Sequence, residues 1–318
     1  MSSSELIYFN FISRSISIYG GLSLFILGIF GNFINIILFI FDHHFNKLTI
    51  SIFLVFSFFG SQLNLITASL PQLIFQLTGH DPLIKYEIFC KLRWFFGPIT
   101  GTIALDGICL AVINQYLLTL RNIRYHQWIT QQRSYFICLF VLFNLILLLS
   151  PNLIYFTHWI NLSNKTTCDI INPIAANYNV YIGLVIYSLI PIFVLLIFSF
   201  LTWLNVRRIL IRRQNIEHTM IRLLIGQILL VLFTTIAFVI SRIYSLYTKY
   251  FSKNSLQLTQ ENVALSVTTL FSMSTHCLSF YVYLFTSKTF RKNIRDIFVK
   301  RQNRIQPMIP LQNIVRHL

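Results

Sequence analysis

The sequence predicts an all-α membrane protein, a seven-transmembrane helix bundle followed by a short amphipathic eighth helix. The first observation is composition: 55% of the 318 residues are hydrophobic and only 11% are charged. Soluble domains carry about 25% charged residues, so this chain has too few to cover a water-facing surface. The second observation is a series of seven long apolar segments. The third is a concentration of basic residues in alternate loops.

The seven apolar segments each reach the ~20 residues that a helix needs to cross a bilayer core. None alternates in the ten-residue pattern of barrel strands. The N-terminus lacks the basic region and cleavage site of a signal peptide, so we expect no removable leader. The spans are residues 17–41, 49–77, 94–120, 135–157, 179–206, 220–247 and 262–286.

The basic residues predict the orientation of the bundle. Loops 42–48, 119–133, 207–222 and 286–318 hold 17 of the 25 Lys and Arg. Because cytoplasmic loops carry the excess of positive charge, these segments are predicted inside and the N-terminus outside. The pI of about 9.9 then indicates contact with anionic lipid of the inner leaflet, without any nucleic acid.

This topology divides the chain into four parts. An extracellular N-terminus (1–16) precedes the bundle (17–286), which is followed by the amphipathic helix (287–300) and a basic cytoplasmic tail (301–318).

The second outside loop carries two glycosylation sequons, at Asn161 and Asn164, and such sites are used only on the extracytoplasmic side. The same loop holds Cys168, and Cys90 precedes the third span on the same face. Since only these two cysteines share an oxidising compartment, they are the expected disulfide pair, with two free thiols as the alternative. The other three fall inside spans: Cys109, Cys138 and Cys277.

Outside-facing N-terminus, seven spans and this cysteine pair together resemble a rhodopsin-like (class A) G-protein-coupled receptor, over about residues 17–300. From Cys90 to Gln115 a helix rises ~37 Å, enough to cross the membrane. In the family this spacing leads to an Asp/Glu-Arg-Tyr motif, whose place Asn114-Gln115-Tyr116 takes. The resemblance implies a plasma-membrane receptor whose partners are an extracellular ligand and a heterotrimeric G protein, with no cofactor, metal or catalytic residue.

Other motifs of the family follow in order. Gly31-Asn32 resembles the Gly-Asn pair of helix 1, Pro191 the proline of helix 5, and Tyr283 the tyrosine of Asn-Pro-x-x-Tyr. After Tyr283, an apolar face flanked by Lys and Arg is typical of the family's interfacial helix 8. This apolar face consists of Phe290, Ile294, Ile297 and Phe298.

The chain also departs from the family's pattern, in a way that resembles divergent orphan receptors of invertebrates. Helix 6 lacks the proline that usually follows a Trp. The other replacements are Asn114 and Gln115 for the acid and arginine, Ser279-Phe280 for Asn-Pro, Ser199 for a helix 5 tyrosine, Gln62 or Asn64 for the helix 2 acid, and Ala104 for a small polar residue of helix 3.

The replacement of both charges in the helix 3 motif has a physical reason. Replacing only one would leave an unpaired, half-buried charge at a cost of roughly 3–5 kcal/mol. The amides Asn114 and Gln115 keep donors and acceptors at that depth without a charge to desolvate. The alternative is that the two amides merely cap the interfacial end of the span.

Asp106 is the only acid within a predicted span, and it lies ~13 Å from Gln115 along the helix. A charge at that depth is expensive, so Asp106 is expected to face the bundle interior or water, or else to be neutral and hydrogen-bonded.

A ligand cavity, suited to a peptide or small organic molecule, is predicted near the outer face. Arg242 could bind a carboxylate there or extend its charge to the membrane interface. The candidate lining is Trp94, Phe95, Phe96, Tyr178, Tyr181, Arg242 and Tyr244.

Other classes of membrane protein fit less well. An ion channel would need a pore-lining charged or carbonyl-rich segment. A transporter would show internal repeats with broken helices at the midplane. An intramembrane hydrolase needs clustered His, Asp or Glu, whereas the spans offer only His276 and Asp106. Channel or transporter remains the alternative to a receptor.

Overall fold

A computed structural model describes residues 3–42, 45–120, 130–160, 166–209, 215–248, 251 and 253–295. The two predicted glycosylation sites, Asn161 and Asn164, lie outside these residues, as do 296–300 of the predicted amphipathic helix and the basic tail, 301–318. Within the described part, seven long helices are joined by short connections and one β-hairpin.

Seven helices, α1 to α7, correspond to the predicted spans. Six are long and apolar enough to cross a membrane alone, and a bent pair makes up the seventh. Their bounds are Ser3–Ser15, Ile16–Gly20 and Gly21–Phe41 for α1; Thr49–Asn64, Leu65–Ser69 and Leu70–Thr78 for α2; Glu87–Leu118 for α3; Gln131–Leu149 and Pro151–Tyr155 for α4; Pro173–Leu184, Val185–Leu189 and Ile190–Ile209 for α5; Asn215–Tyr247 for α6; Ser255–Cys277 and Ser279–Thr286 for α7. The predicted seven-helix bundle is therefore confirmed.

Three of these helices contain a π-helical turn, and two of the turns have a proline as their cause. Pro191 has no N–H to donate to the carbonyl four residues earlier, which belongs to Tyr187 in the π turn Val185–Leu189 of α5. Pro71 stands in the same relation to Thr67 in the π turn Leu65–Ser69 of α2. Proline therefore loosens both helices without breaking them.

Pro98, inside α3, is accommodated differently. The carbonyl that it leaves without a backbone donor is that of Trp94, and Asn152 Nδ2 of α4 donates to this oxygen at 2.9 Å. Because a bilayer offers no water to an unpaired carbonyl, a side chain from a neighbouring helix takes the place of the missing N–H. This bond also fixes α4 against α3.

One end of the bundle carries the disulfide and is called the disulfide end. Cys90 of α3 is bonded to Cys168, which confirms the predicted pair. Cys168 lies in a hairpin of two antiparallel strands, β1 (Phe156–Ile160) and β2 (Thr166–Ile170). The ring of Phe156 stacks on Trp94 at 4.8 Å, so the hairpin is held to α3 by a covalent bond and an aromatic contact.

Two features of the disulfide end were not predicted. The hairpin itself was expected only as a loop, and α1 begins at Ser3 rather than at residue 17. Its added turns pack on other helices: Ser13 Oγ lies 2.7 Å from Ser266 Oγ of α7, and Arg14 Nε donates to the Gln76 carbonyl of α2 at 3.3 Å. These tertiary contacts stabilise helix where the sequence pattern alone gave no signal.

A second end, opposite the disulfide, contains most of the apolar core. Side chains of α1, α2, α3, α5, α6 and α7 meet there, among them Phe39, Phe58, Leu105, Leu195, Leu223 and Tyr283. A smaller cluster joins α3 to α4 through Phe95, Ile99, Ile103, Leu145 and Leu149. Many large apolar side chains, such as Phe140, Phe193 and Phe233, are exposed on the outside of the bundle, as expected when lipid is the solvent.

Helices α2 and α3 approach each other closely. Gly107 faces the backbone of α2, and Ser57 Oγ donates to the Ala104 carbonyl at 2.6 Å. Small residues allow such contact, and van der Waals packing drives association in a bilayer.

A methyl group at Gly107 would test this contact. A Cβ there would lie 2.7 Å from the Phe53 carbonyl oxygen and 2.8 Å from the Ser57 nitrogen. Because both are backbone atoms, α2 and α3 must separate, and we expect Gly107→Ala to lose about 1–3 kcal/mol of stability. The measurement is the midpoint of thermal unfolding of the purified chain. Gly97→Ala is the control, since its Cβ would meet only Ala68 Cβ at 3.5 Å; equal midpoints for the two variants would contradict the assignment.

Candidate functional site

The polar interior of the bundle centres on a bend in α7. The two parts of α7, Ser255–Cys277 and Ser279–Thr286, meet at 61°. No proline causes this bend, because Ser279-Phe280 stands where the family has Asn-Pro. Instead Asn32 Nδ2 of α1 donates to the His276 carbonyl at 2.9 Å. A side chain that inserts into the carbonyl ladder is a sufficient cause of a kink.

Gly31, the neighbour of Asn32, makes this contact possible. A Cβ at Gly31 would lie 2.9 Å from Phe280 Cβ, so any larger residue would push α1 away from the bend. The Gly31-Asn32 pair therefore has two parts: the glycine permits close approach of α1 to α7, and the amide supplies the hydrogen bond. Asn32 is fully buried, which makes this bond strong relative to one in water.

Two further hydrogen bonds connect α6 to α7 on either side of the bend. Gln227 Nε2 donates to Ser279 Oγ at 2.8 Å, and the hydroxyls of Thr234 and Thr275 are 2.5 Å apart. All four side chains are buried. The bend is thus fixed from α6 as well as from α1, again by uncharged groups.

His276 also reaches α5 through its ring. The Tyr187 hydroxyl lies 2.9 Å from His276 Nε2, and the Tyr187 ring packs edge-to-face on Phe238 of α6 at 5.9 Å. Tyr187 belongs to the π turn that precedes Pro191. His276 is therefore a junction: its carbonyl bonds α1 and its ring bonds α5.

Asn114 and Gln115 lie at the opposite end of α3, inside the bundle. They are 1% and 5% exposed, and Thr49 Oγ1 of α2 donates to Asn114 Oδ1 at 3.3 Å. The backbone N–H of Thr119 closes the helix on the carbonyls of Gln115 and Tyr116, so the two amide side chains do not serve as caps. This geometry favours an interior hydrogen-bonding role over the capping alternative.

Tyr116 and Tyr283, the two tyrosines of the expected motifs, are held by aromatic contacts. The Tyr116 ring packs on Phe198 of α5 at 5.4 Å. Tyr283 is fully buried beside Phe58 and Phe290. Among the described residues its hydroxyl has no hydrogen-bond partner.

The predicted amphipathic helix is present as α8, residues 288–295. Phe290 is buried against the end of α7, whereas the basic side chains of the helix are exposed. Arg291 Nη1 donates to the carbonyls of Leu284 and Phe285 at 2.8 and 3.1 Å. A basic side chain thereby satisfies the last carbonyls of α7.

The predicted ligand residues lie in three places. Trp94 stacks on the hairpin and Phe95 is buried against α4, while Phe96 is exposed. The Tyr178 hydroxyl donates to the Leu148 carbonyl of α4 at 2.9 Å, and Tyr181 is 62% exposed. These five side chains do not converge on one cavity.

Arg242 and Tyr244 form the third group, near the disulfide end of α6. The Tyr244 hydroxyl donates to Glu261 Oε1 at 2.9 Å, and Lys253 pairs with the same carboxylate at 2.6 Å. Tyr244 therefore belongs to a clamp that joins α6 to α7. The Arg242 guanidinium lies over the Phe238 ring, 4.9 Å from its centroid, and this ring packs on Tyr187.

Asp106 lies on the stripe of α3 that faces α4 and α5. Ile99 and Ile103, seven and three residues before it, pack with Leu145, Leu149, Ile182 and Ile186. Asp106 is partly buried, and within the described part of the chain its carboxylate forms no hydrogen bond or ion pair. It does not take part in the polar junction at His276.

A small cleft of about 50 Å³ opens between α1, α2 and α7. It contains none of the predicted ligand residues. The polar part of its lining is Ser17, Ser69, Gln72, Gln76, Ser266 and Thr269.

Sequence reasoning missed Tyr187, Gln227, Thr234, Thr275 and the central position of His276. One signal could have found them, because polar side chains inside apolar spans are expected to face the bundle interior. That signal identifies candidate interior residues but not their hydrogen-bond partners, because the rotation of each helix decides which side chains meet.

A comparison with protein families agrees with this geometry. The model of the seven-transmembrane receptor family called the rhodopsin family matches residues 31–283, about four fifths of the 318 residues. The match runs from the Gly31-Asn32 pair to Tyr283. No curated protein matches the chain.

Removal of the Asn32 amide would test the junction. Asn32→Ala leaves the His276 carbonyl without its donor in a dry interior, so we expect a loss of about 1–3 kcal/mol and a lower unfolding midpoint. Asn144→Ala is the matched control, because Asn144 is exposed and bonds only Phe140 of its own helix. If both variants unfold at the temperature of the intact chain, the bond does not hold the bend.

Proposed function

This chain belongs to the rhodopsin family of seven-transmembrane receptors, and we propose that it passes the binding of an extracellular ligand to a heterotrimeric G protein. Members of this family are receptors and not enzymes. The observation that supports the proposal is the junction at His276, because it joins three helices between the two ends of the bundle.

The junction is suited to a two-state switch. The ring of His276 contacts Tyr187 of α5 and its carbonyl contacts Asn32 of α1, so a ligand that moves α5 or α6 at the disulfide end changes the bonds at the bend. Such a ligand acts by binding the two arrangements of this junction with different affinity. The second part of α7 then carries the change to Tyr283 and α8.

The receiving surface is proposed at the opposite end, around Asn114, Gln115 and Tyr116. In the family an acid holds the arginine of this motif until activation frees it. Here two buried amides stand in place of the charges, and Asn114 accepts a hydrogen bond from Thr49. The Asn114–Thr49 hydrogen bond is expected to be weaker than an ion pair and insensitive to pH.

The proposed orientation places the disulfide end outside the cell and α8 on the cytoplasmic leaflet of the plasma membrane. Disulfides persist in oxidising compartments, which supports the first assignment. The exposed Lys288, Lys292 and Arg295 of α8 would meet anionic lipid, each contributing about 1 kcal/mol. Glycans at Asn161 and Asn164 would be on the outer face.

A ligand screen with a promiscuous G protein in cells tests the function. We expect at least one ligand to raise the G-protein signal above that of cells without the chain, and to raise it less with Gln115→Ala. Phe285→Ala is the control, since Phe285 is 79% exposed on the lipid side and its loss should leave the signal intact. Ligand-gated currents without G-protein activation would identify a channel instead.

A further inference from the structure

Arg242 is a cation in an unusual position, one turn beyond Phe238 on α6 and towards the disulfide end. Its side chain is exposed, yet its guanidinium lies over the Phe238 ring at 4.9 Å. It is also within electrostatic range of Tyr187 on α5. The guanidinium therefore turns back along α6 over Phe238, whose ring packs on Tyr187, and does not extend to the interface.

Four of the acids at the disulfide end are engaged elsewhere. Glu261 pairs with Lys253, and Glu87 pairs with Lys91. Asp81 accepts from the Leu83 nitrogen at 2.9 Å, and Asp169 accepts from the Ile170 nitrogen at 2.8 Å. Over the described ranges Arg242 forms no ion pair with any of them.

The surroundings of Arg242 are aromatic with a few hydroxyls. Phe238 and Tyr187 pack edge-to-face at 5.9 Å, and Ser272 of α7 is within hydrogen-bonding reach of the Tyr187 hydroxyl. Apolar walls with one or two fixed polar groups are typical of sites for small ligands.

We propose that Arg242 binds the carboxylate of the receptor's ligand, and that an aromatic part of the ligand packs against Phe238 and Tyr187. The planar guanidinium presents paired N–H donors that match the two oxygens of a carboxylate. Because Arg242 has no acidic partner among the described residues, a ligand carboxylate can pair with it without displacing another anion.

This inference rests on the proposed function and adds the class of ligand and a route to the switch. Tyr187, beside the bound carboxylate, contacts His276, whose carbonyl holds Asn32. A ligand that draws Arg242 and Tyr187 together would therefore act on the bend of α7 through one side chain, that of His276. The carboxylate has two possible sources, a small aromatic acid or the C-terminus of a peptide.

The probes for a binding test are 3-phenylpropionate for a small acid and N-acetyl-L-phenylalanine for a peptide C-terminus, each paired with its primary amide. The measurement is the thermal unfolding midpoint of the full chain in lipid nanodiscs at constant ionic strength. At least one acid should raise the midpoint, and its amide should not. An effect of only one acid would identify the source.

Variants then assign the effect to Arg242. Arg242→Gln should weaken the apparent affinity for the acid by roughly ten- to a hundredfold, the range for a lost charged hydrogen bond. Arg242→Lys should keep part of the effect, and it replaces the glutamine variant if that one does not fold. Arg93→Gln is the matched control, a cation of the same end that lies over Trp94, and should leave the effect unchanged.

Equal effects of acid and amide, an acid effect that survives Arg242→Gln, or no effect of any probe would overturn the proposal. None of these measurements involves a G protein. Failure here would leave the receptor assignment standing, and failure of the G-protein assay would leave the binding result standing.

Discussion

The hydrogen bond from Asn32 to the His276 carbonyl is the interaction on which the arrangement of the bundle depends. Inside a bilayer every backbone polar group must find a partner within the protein. A bend of 61° in α7 disturbs the carbonyl ladder inside the bundle, and Asn32 satisfies the carbonyl there. A typical hydrogen bond contributes about 0.5–1.5 kcal/mol net, but an unpaired buried carbonyl costs about 1–3 kcal/mol. The second value explains why a single amide can fix the path of a helix.

The same constraint explains how the bundle treats its prolines. Pro71 and Pro191 follow π turns, and the carbonyl freed by Pro98 receives the Asn152 amide. At the bend of α7 the proline is absent, while the geometry that it produces in the family is present. Side chains from α1 and α6 take over its role, so the bend and the proline are separable features of this fold.

Much of the fold could be predicted, because it depends on the length, composition and periodicity of segments, which the sequence itself shows. Span length and composition identify seven helices, and the oxidising side selects Cys90 and Cys168. Periodicity also identifies α8. The contacts that could not be predicted depend on how each helix is rotated about its axis. Because α5 and α6 are apolar on nearly every face, their sequences do not indicate that Tyr187 contacts His276 or that Tyr178 bonds α4. The hairpin and the first turns of α1 depend on tertiary contacts for the same reason.

The central claim is that this receptor keeps its family's architecture with neutral hydrogen bonds in the places of charge and proline. The most direct measurement is a cycle of thermal unfolding midpoints for Asn114→Asp, Gln115→Arg and the double variant. Each single variant should unfold at a lower temperature, because it introduces one unpaired charge at a site that is 1% or 5% exposed. The double variant should recover most of the loss, since the two charges can pair. Single variants as stable as the intact chain, or losses that simply add in the double variant, would contradict a neutral, buried pair.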